Sequence, residues 1–460
     1  MAITRPPVSG TEEDPAAPAG ATVGAPEQVE EPEDDLEDVT LFAGEALVNT
    51  LGDYVSAWWR RVRGGESGIL PVVGALLAII VIFQVQNSLF LTAGNIVNLL
   101  IEAAVIMLFG MGEVFVLLLG EIDLSVGFVG GVGGGVMAAL VAPPFNVPWW
   151  LAILAAVGGT TIIGLIHGTL ITRLRLPSFI VTLAGLIGWE GVMIWMFDHL
   201  NVAVGGVISV SNTYIVDLVS GDLTPLAGWI AMAALVVAFG SLTIFRDSRR
   251  RAAGLVAPPL GVTAVKVLLA GVAGFLLVLV CNTNRGIHTA TFHTVVEGVP
   301  WAIPIIFTIL LVATFVLGHT RYGRYVYAIG GNAEAARRAG VNLALIRTIS
   351  FMIAGLMAGI AGVIYTSWLR SIATDIDGGT YVLYAVAAAV IGGTSLFGGR
   401  GKPLHAVLGG LVIAAIANGL ALLGASASAT FMVTALVLII AITVDSVARR
   451  GQGASARAKV

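Results

Sequence analysis

Amide and carboxylate side chains recur along one apolar stretch of the sequence, between residues 93 and 119. Asn95, Asn98 and Glu102 are spaced i, i+3 and i+7, which places them on one helical face, and Glu113 returns to that face about three turns later. Ionisable groups in an apolar segment usually face a cavity or the interior of a helix bundle. The stripe therefore predicts either a polar path for a hydroxyl-rich solute or hydrogen bonds between helices.

Two further carboxylates stand in GEIDLSVG, residues 120–127, between two apolar runs. Asp123 is placed to cap a helix that starts at the next residue, with Ser125 assisting. An ionised group inside hydrocarbon costs at least ~2.5 kcal/mol, so Glu121 and Asp123 should lie at the inner membrane interface or face polar partners. We expect them to act as caps or as part of a gate. Glu190 is a weaker candidate for the same path.

The sequence lacks the patterns that would predict catalysis. No Gly-x4-Gly-Lys-Ser/Thr motif occurs, and Pro403 follows Lys402 in the glycine-rich GGTSLFGGRGKP, which makes that segment unfit to cradle phosphates. The histidines have no metal-ligand spacing, and Cys281 is the single cysteine. Basic residues track loops rather than a stripe, so nucleic acid is not a target. We therefore expect no catalytic, cofactor or metal site in this chain.

Composition predicts that these groups are positioned by membrane helices. Hydrophobic residues make up 57% of the 460 residues and charged residues only 11%, against about 25% charged in soluble domains. A membrane-spanning helix needs ~20 apolar residues. The apolar runs predict an all-α polytopic bundle of about twelve transmembrane helices, at about 69–86, 93–119, 123–142, 149–172, 179–197, 226–245, 261–281, 300–318, 347–368, 380–396, 404–424 and 429–447.

Charge predicts how the chain is threaded through the membrane. With the N-terminus inside, twenty basic residues between Arg60 and Lys459 fall in or beside inner loops, and only Arg285 and Arg370 fall outside. This bias predicts a multi-pass protein with both termini in the cytoplasm. Residues 1–55 are predicted to be a disordered, acidic, Pro-rich tail, since residues 1–50 hold twelve acidic residues and one basic residue. Residues 65–450 are the membrane domain and 451–460 a second tail.

A short polar stretch, AIGGNAEAARRAGVN, stands within a predicted cytoplasmic loop at 320–346. Asn332 is a suitable N-cap, Glu334 complements the dipole at the helix start, and Arg337 and Arg338 complement it at the end. Gly340 suits the left-handed residue that follows a helix. So short a helix is marginal on its own and needs a partner. We expect another protein's groove to approach a thin face of small side chains, at Ala333, Ala336 and Ala339.

Glu334, Ala335 and Ala336, followed after three residues by Gly340, resemble the EAA-type coupling motif of ABC importer permeases. The stretches GEIDLSVG, TTIIGLIHGTLITRLRLPSFIVTLAGLIGWEG and VIGGTSLFGGRGKPLHAVLGG resemble segments of the carbohydrate permeases of the ribose/xylose group, xylose-type most of all. This resemblance implies a type II-like permease of the bacterial inner membrane. The residues it implies for ATPase coupling are Asn332, Glu334, Ala335, Ala336, Arg337, Arg338 and Gly340.

The same resemblance implies partners and a function. The chain would import a sugar, with a pentose such as xylose favoured, as a homodimer with a cytoplasmic ABC ATPase that holds ATP and Mg, and with an external sugar-binding protein. Two other classes stay open from the residues alone. One is a proton-coupled secondary transporter using Glu102, Glu113 or Glu190, and the other is a membrane transferase using Asp375 or Asp377.

Overall fold

Apolar helices form the framework of the protein. The computed structural model describes residues 70–200, 203–255, 257–286, 294–440 and 443. The predicted tails at 1–55 and 451–460 lie outside these residues. Within these described residues there are twelve apolar helices: α1 (Leu70–Gln86), α2 (Ala93–Leu117), α3 (Val126–Val141), α4 (Trp149–Arg173), α5 (Ser178–His199), α7 (Pro225–Ala252), α8 (Leu260–Cys281), α9 (Ala302–His319), α12 (Leu343–Leu369), α13 (Gly378–Ile391), α14 (Pro403–Leu422) and α15 (Ala427–Ile440).

Each of the twelve predicted spans coincides with one of these helices, which confirms the predicted fold class. Eight of the helices are long and apolar enough to cross a membrane, while α1, α3, α13 and α15 are shorter apolar helices. Most helix ends lie within a few residues of the predicted ends. Helix α7 continues seven residues past its predicted end, and α13 ends five residues early because the glycine-rich segment after Ile391 turns away from the helix. The chain is thus a multi-pass helical membrane protein.

The centre of the bundle is α12, which packs against α2, α3 and α4. Small residues make this packing possible. A Cβ atom at Gly355 would come within 2.3 Å of the Thr160 carbonyl oxygen, and one at Gly362 within 2.0 Å of the Gly130 carbonyl oxygen. Close backbone approach of this kind holds helices together in lipid, where burial of apolar surface contributes little. Glycines therefore set the spacing of the central helices.

In the part of the chain that the structure describes, the loops at one end of the bundle carry four short strands, and we call this end the strand end. Strand β1 (Val207–Ser209) pairs antiparallel with β4 (Ser371–Ala373), and β2 (Asp222–Leu223) pairs with β3 (Val299–Pro300). Helix α6 (Thr213–Ser220) lies between β1 and β2. The strands thus tie loops that are far apart in sequence into one layer.

An ion pair joins two of these loops. The Arg285 guanidinium lies 3.0 Å from the Asp222 carboxylate. Burial raises the pKa of Asp222 above its usual value, even though Arg285 alongside it acts in the opposite direction. The desolvation cost of the pair therefore offsets its attraction, so the pair positions the loop more than it stabilises the fold.

The opposite end of the bundle holds two polar helices between α9 and α12, and we call it the basic end. These helices are α10 (Arg321–Gly331) and α11 (Ala333–Arg338). Sequence reasoning predicted α11 but treated the preceding residues as loop. Tyr322, Val326 and Ile329 follow the spacing i, i+4 and i+7, which is the apolar face of an amphipathic helix and would have revealed α10.

Candidate functional site

Helix α11 has the capped form that its sequence predicts. The Asn332 Oδ1 atom accepts a hydrogen bond from the Ala335 backbone N–H at 2.9 Å. Gly340 has φ +82°, a left-handed conformation that glycine adopts without strain, and its N–H donates to the Arg337 carbonyl at 3.0 Å. Glu334 forms ion pairs with Arg337 and, at 3.2 Å, with Arg338. The helix is therefore defined at both ends by its own residues.

The exposed face of α11 is charged rather than small. Glu334, Ala335, Arg337 and Arg338 are exposed, whereas Ala336 is only 5% exposed and packs into the core of the bundle. The expectation that the alanine face receives a partner is wrong for Ala336, because this alanine seats the helix on its own permease. A partner would meet the four exposed side chains instead.

Two tyrosines fix α10 to the membrane helices. The Tyr322 hydroxyl lies 2.6 Å from the Ser350 hydroxyl on α12, and the Tyr327 hydroxyl donates to the Gly401 carbonyl at 2.8 Å. Burial raises the pKa of both tyrosines above the usual value, and the Ser350 contact only partly counters this at Tyr322. Both hydroxyls therefore stay protonated and able to donate at neutral pH. Sequence reasoning did not single out either residue.

Three of the four segments that resemble importer permeases meet beside α10: the coupling segment, the stretch that leads into GEIDLSVG, and the glycine-rich segment. The Gly399 backbone N–H, in the glycine-rich segment, donates to the Leu118 carbonyl at 2.9 Å, just before GEIDLSVG. Gly330 fits against this contact, since a Cβ atom there would lie 1.9 Å from the Leu118 oxygen and 2.4 Å from the Gly399 nitrogen. Movement of α10 and α11 would therefore press directly on the end of α2 and on the glycine-rich segment.

A second connection joins GEIDLSVG to the start of α12. The Glu121 carboxylate lies 3.2 Å from the Arg347 Nε atom, and the Glu121 side chain is only 15% exposed. Glu121 therefore faces a polar partner, and its place at the inner interface stays a prediction. The pair lies in a groove of about 570 Å³ that also holds Arg175 and Arg337. The Glu121–Arg347 pair therefore connects GEIDLSVG to the start of α12, in a groove that Arg337 of α11 also lines.

Asp123 begins a buried chain of hydrogen bonds. Its Oδ1 atom accepts from the Ser125 backbone N–H at 2.9 Å and from the Ser125 hydroxyl at 2.5 Å. Helix α3 starts at Val126, two residues later than expected, so Asp123 caps the turn before the helix rather than the helix itself. The Ser125 Oγ atom lies 3.3 Å from His167 Nδ1, and the Trp189 indole N–H donates to His167 Nε2 at 3.0 Å.

The donors in this chain assign the histidine tautomer. Since Trp189 donates to His167 Nε2, the proton of a neutral imidazole resides on Nδ1 and is donated to Ser125. The Ser125 hydroxyl then donates to Asp123, so each group in the chain has a partner. The chain joins α3, α4 and α5, and Gly185 lies so close to His167 Nε2 (2.8 Å from a built Cβ) that a side chain there would displace the ring.

His167→Leu should destabilise the protein, whereas His167→Gln should not. Leucine leaves the Trp189 N–H and the Ser125 hydroxyl without their partner, at a cost of about 1–3 kcal/mol for buried groups. A glutamine amide can accept from Trp189 and donate to Ser125. The thermal unfolding midpoint of the purified protein in detergent measures this difference. Equal midpoints for the two variants would show that the chain of hydrogen bonds contributes nothing.

The predicted polar stripe on α2 does not form one continuous path. Asn95 donates to Asn418 on α14 at 2.9 Å and to the Phe90 carbonyl, so it connects helices. Asn98 is exposed and Glu102 half-buried, but Glu113 is fully buried beside Asp123, and its oxygens lack a hydrogen bond of normal geometry to the residues described. These residues share one face of α2, as their spacing predicts. That face lies at the surface of the bundle near Asn98 and in the centre of the bundle near Glu113.

The remaining candidates have simpler surroundings. Glu190 is half-buried on α5 and forms no ion pair with another described residue. Asp377 caps α13 by accepting from the Thr380 backbone N–H at 3.0 Å. No ion pair joins Arg370 to Asp375 or Asp377 in the part of the chain that the structure describes.

The helical membrane fold and the segments that meet at its basic end are those of a membrane permease. Residues 95–442 match the family described as "Branched-chain amino acid transport system / permease component". The match covers most of the chain, and the protein belongs to this family. No solved structure matches the chain significantly.

Sugar permeases stand among its relatives. The chain is 31% identical to the xylose transport system permease of Escherichia coli over 395 residues, which cover 84% of this chain and 95% of that protein. It is 31% identical to the xylose transport system permease of Haemophilus influenzae over 374 residues, covering 81% and 94%. It is 30% identical to the ribose import permease of Escherichia coli over 372 residues, covering 81% and 92%.

Proposed function

We propose that this chain is the membrane subunit of an ATP-driven sugar importer, with a pentose such as xylose as the favoured solute. The observation that carries the proposal is the exposed, charged face of α11 beside the point where Gly330, Leu118 and Gly399 meet. A six-residue helix has little stability of its own, yet this one is capped at both ends and seated by Ala336. Such a helix is suited to be a docking surface through which a partner protein moves the permease.

The partner in this proposal is a cytoplasmic ABC ATPase that holds ATP and Mg. The chain itself binds no cofactor and carries no catalytic residue. Closure of two ATPase subunits would move α11, and Gly330 and the Glu121–Arg347 pair would pass that movement to α2 and α12. Two copies of the permease would then alternate between states open to either side of the bacterial inner membrane. Both termini lie in the cytoplasm, and an external sugar-binding protein delivers the solute at the strand end.

The relatives favour a sugar over an amino acid. The family description names branched-chain amino acids, whereas the relatives matched over more than nine-tenths of their own length are named for xylose and ribose. Sugars are neutral and rich in hydroxyl groups, so a permease for them needs hydrogen-bonding side chains rather than a charged counter-ion.

Proteoliposomes test the proposal directly. We expect the chain, reconstituted with an ABC ATPase and a sugar-binding protein of the same genome, to accumulate D-xylose or D-ribose at least tenfold more with internal ATP than without it. L-leucine should not accumulate. Pentose or leucine uptake by the chain alone, driven by an imposed pH gradient, would instead identify a secondary transporter in which Glu102, Glu113 or Glu190 carries the proton.

A further inference from the structure

A half-buried strip of aromatic rings runs along α12 and α13 near the strand end. The Tyr365 and Tyr381 rings meet edge to face with centroids 5.4 Å apart, and Tyr381 and Tyr384 do the same at 6.3 Å. Phe109 lies behind Tyr381 at 5.8 Å. Tyr365, Tyr381 and Tyr384 are neither buried nor fully exposed, and we call them the tyrosine strip. Sequence reasoning assigned no role to them.

The hydroxyl groups of the tyrosine strip are only partly satisfied by hydrogen bonds to other described residues. The hydroxyls of Tyr365 and Tyr381 make no hydrogen bond with another described residue, whereas Tyr384 bonds to Thr434. Glu102 on α2 lies within electrostatic range of Tyr381 and Tyr384, and forms neither an ion pair nor a hydrogen bond within the described part of the chain. Free hydroxyls and a free carboxylate are costly against lipid.

These groups come from α12, α13 and α2, and α2 packs against both of the other helices. Tyr365 stands four residues before α12 ends at Leu369, and Tyr381 stands in the first turn of α13. Glu102 lies in the third turn of α2, which starts near the strand end. Asp375 and Asp377, close enough to influence Tyr365, stand in the loop just above the strip. The strip therefore leads from the strand end into the bundle.

We propose that the tyrosine strip and Glu102 bind the sugar on its way through the permease. This inference rests on the proposed function and names the site where the solute is held. A sugar ring has an apolar C–H face that suits the face of a tyrosine ring, and hydroxyls at its edge that suit carboxylate and phenol oxygens. Few polar groups in an aromatic wall are the usual composition of a small-molecule site.

Thiol labelling of the reconstituted importer tests this site. Cys281 is the single cysteine and is buried, so Cys281→Ser provides the background. We expect a membrane-impermeant methanethiosulfonate, added from the strand end, to label Tyr381→Cys at least tenfold faster than Leu383→Cys. Leu383 is 60% exposed on the same helix and faces lipid in this assignment, and Ala388→Cys, at a fully buried position, is the second control.

Protection from labelling by the sugar distinguishes a binding role from a packing role, because tyrosines that only pack against other helices would show no protection. D-xylose or D-ribose, whichever the wild type accumulates, should slow labelling of Tyr381→Cys at least threefold. Glu102→Gln should lower uptake per ATP hydrolysed at least tenfold, with the complex still assembled. Wild-type uptake without any protection, or protection by tetramethylammonium instead of the sugar, would overturn the site and leave the proposed function standing. Absence of pentose uptake by the wild type would overturn both.

Discussion

Glu334→Lys combined with Gly340→Pro should abolish solute uptake and release the ATPase from the permease. The lysine puts a third cation on a face that already carries Arg337 and Arg338, and removes the acid that pairs with both of them. Proline fixes φ near −65°, whereas Gly340 has φ +82°, and proline also removes the N–H that donates to Arg337. We expect ATP-dependent uptake to fall at least a hundredfold and co-purification of the ATPase to be lost.

Gly254→Pro is the matched control for this change. Gly254 has φ +69°, follows α7 at the same end of the bundle, and donates its N–H to Arg251 at 3.0 Å. The local backbone cost is therefore similar, but a Cβ atom at Gly254 would meet no other residue within 4 Å, so this change leaves α11 itself unaltered. We expect uptake to stay within threefold of wild type. If the double variant at α11 keeps its uptake and its ATPase, α11 is not the coupling element.

Gly330→Val should uncouple the permease, whereas Gly331→Val, one residue later, should leave it working. A side chain at Gly330 would meet the Leu118 oxygen and the Gly399 nitrogen at distances that no real contact reaches, while open space surrounds Gly331. Overpacking against backbone costs about 1–3 kcal/mol or more, and here it would separate the three segments that must move together. The ratio of sugar transported to ATP hydrolysed should drop at least tenfold for the first variant alone.

The two valine variants share the loss of a helical glycine, so their difference isolates the contact. Assembly with the ATPase, measured by co-purification, should persist in both because α11 itself is unchanged. Similar coupling ratios in the two variants would show that Gly330 does not transmit motion between α10 and the glycine-rich segment.

Sequence reasoning succeeded where one segment determines its own structure. Long apolar runs predicted the membrane helices, because backbone groups in lipid must be satisfied within the segment. Asn332 and Gly340 predicted the ends of α11, because caps are local contacts. The arginine bias of the loops predicted that α11 and the ends of α4 and α7 would share one side, a topology that the cross-linking experiment below also tests.

Contacts between segments that are far apart in the sequence could not be predicted from the sequence. Asn95 meets Asn418 across 323 residues, and nothing local distinguishes that bond from a solute path. Ala336 is buried because it packs against other helices of the bundle, and the sequence of α11 alone does not reveal that contact. The tyrosine strip is brought together from α12 and α13 only by packing. Spacing along a helix predicts the face on which a residue lies, but the residues that this face contacts depend on how the whole chain folds.

Motion at α11 has two physical connections into the bundle. One runs through α10, which Tyr322 and Tyr327 attach to α12 and the glycine-rich segment. The other is the Glu121–Arg347 pair, next to the buried chain that starts at Asp123. Both reach α2 and α12, the helices that also carry Glu102 and Tyr365. In the proposed mechanism, a push at the basic end would therefore reach the helices that line the proposed sugar site.

Site-specific cross-linking of α11 tests the central claim most directly. A benzophenone attached to Ala335→Cys in the Cys281→Ser background lies on the exposed face of α11, and Val204→Cys, at an 85% exposed position of the strand end, is the control. On illumination of the assembled importer, Ala335→Cys should cross-link to the ATPase subunit and Val204→Cys should not. Labelling of Ala335→Cys by an impermeant reagent from outside the cell, with no cross-link to an ATPase, would contradict the account.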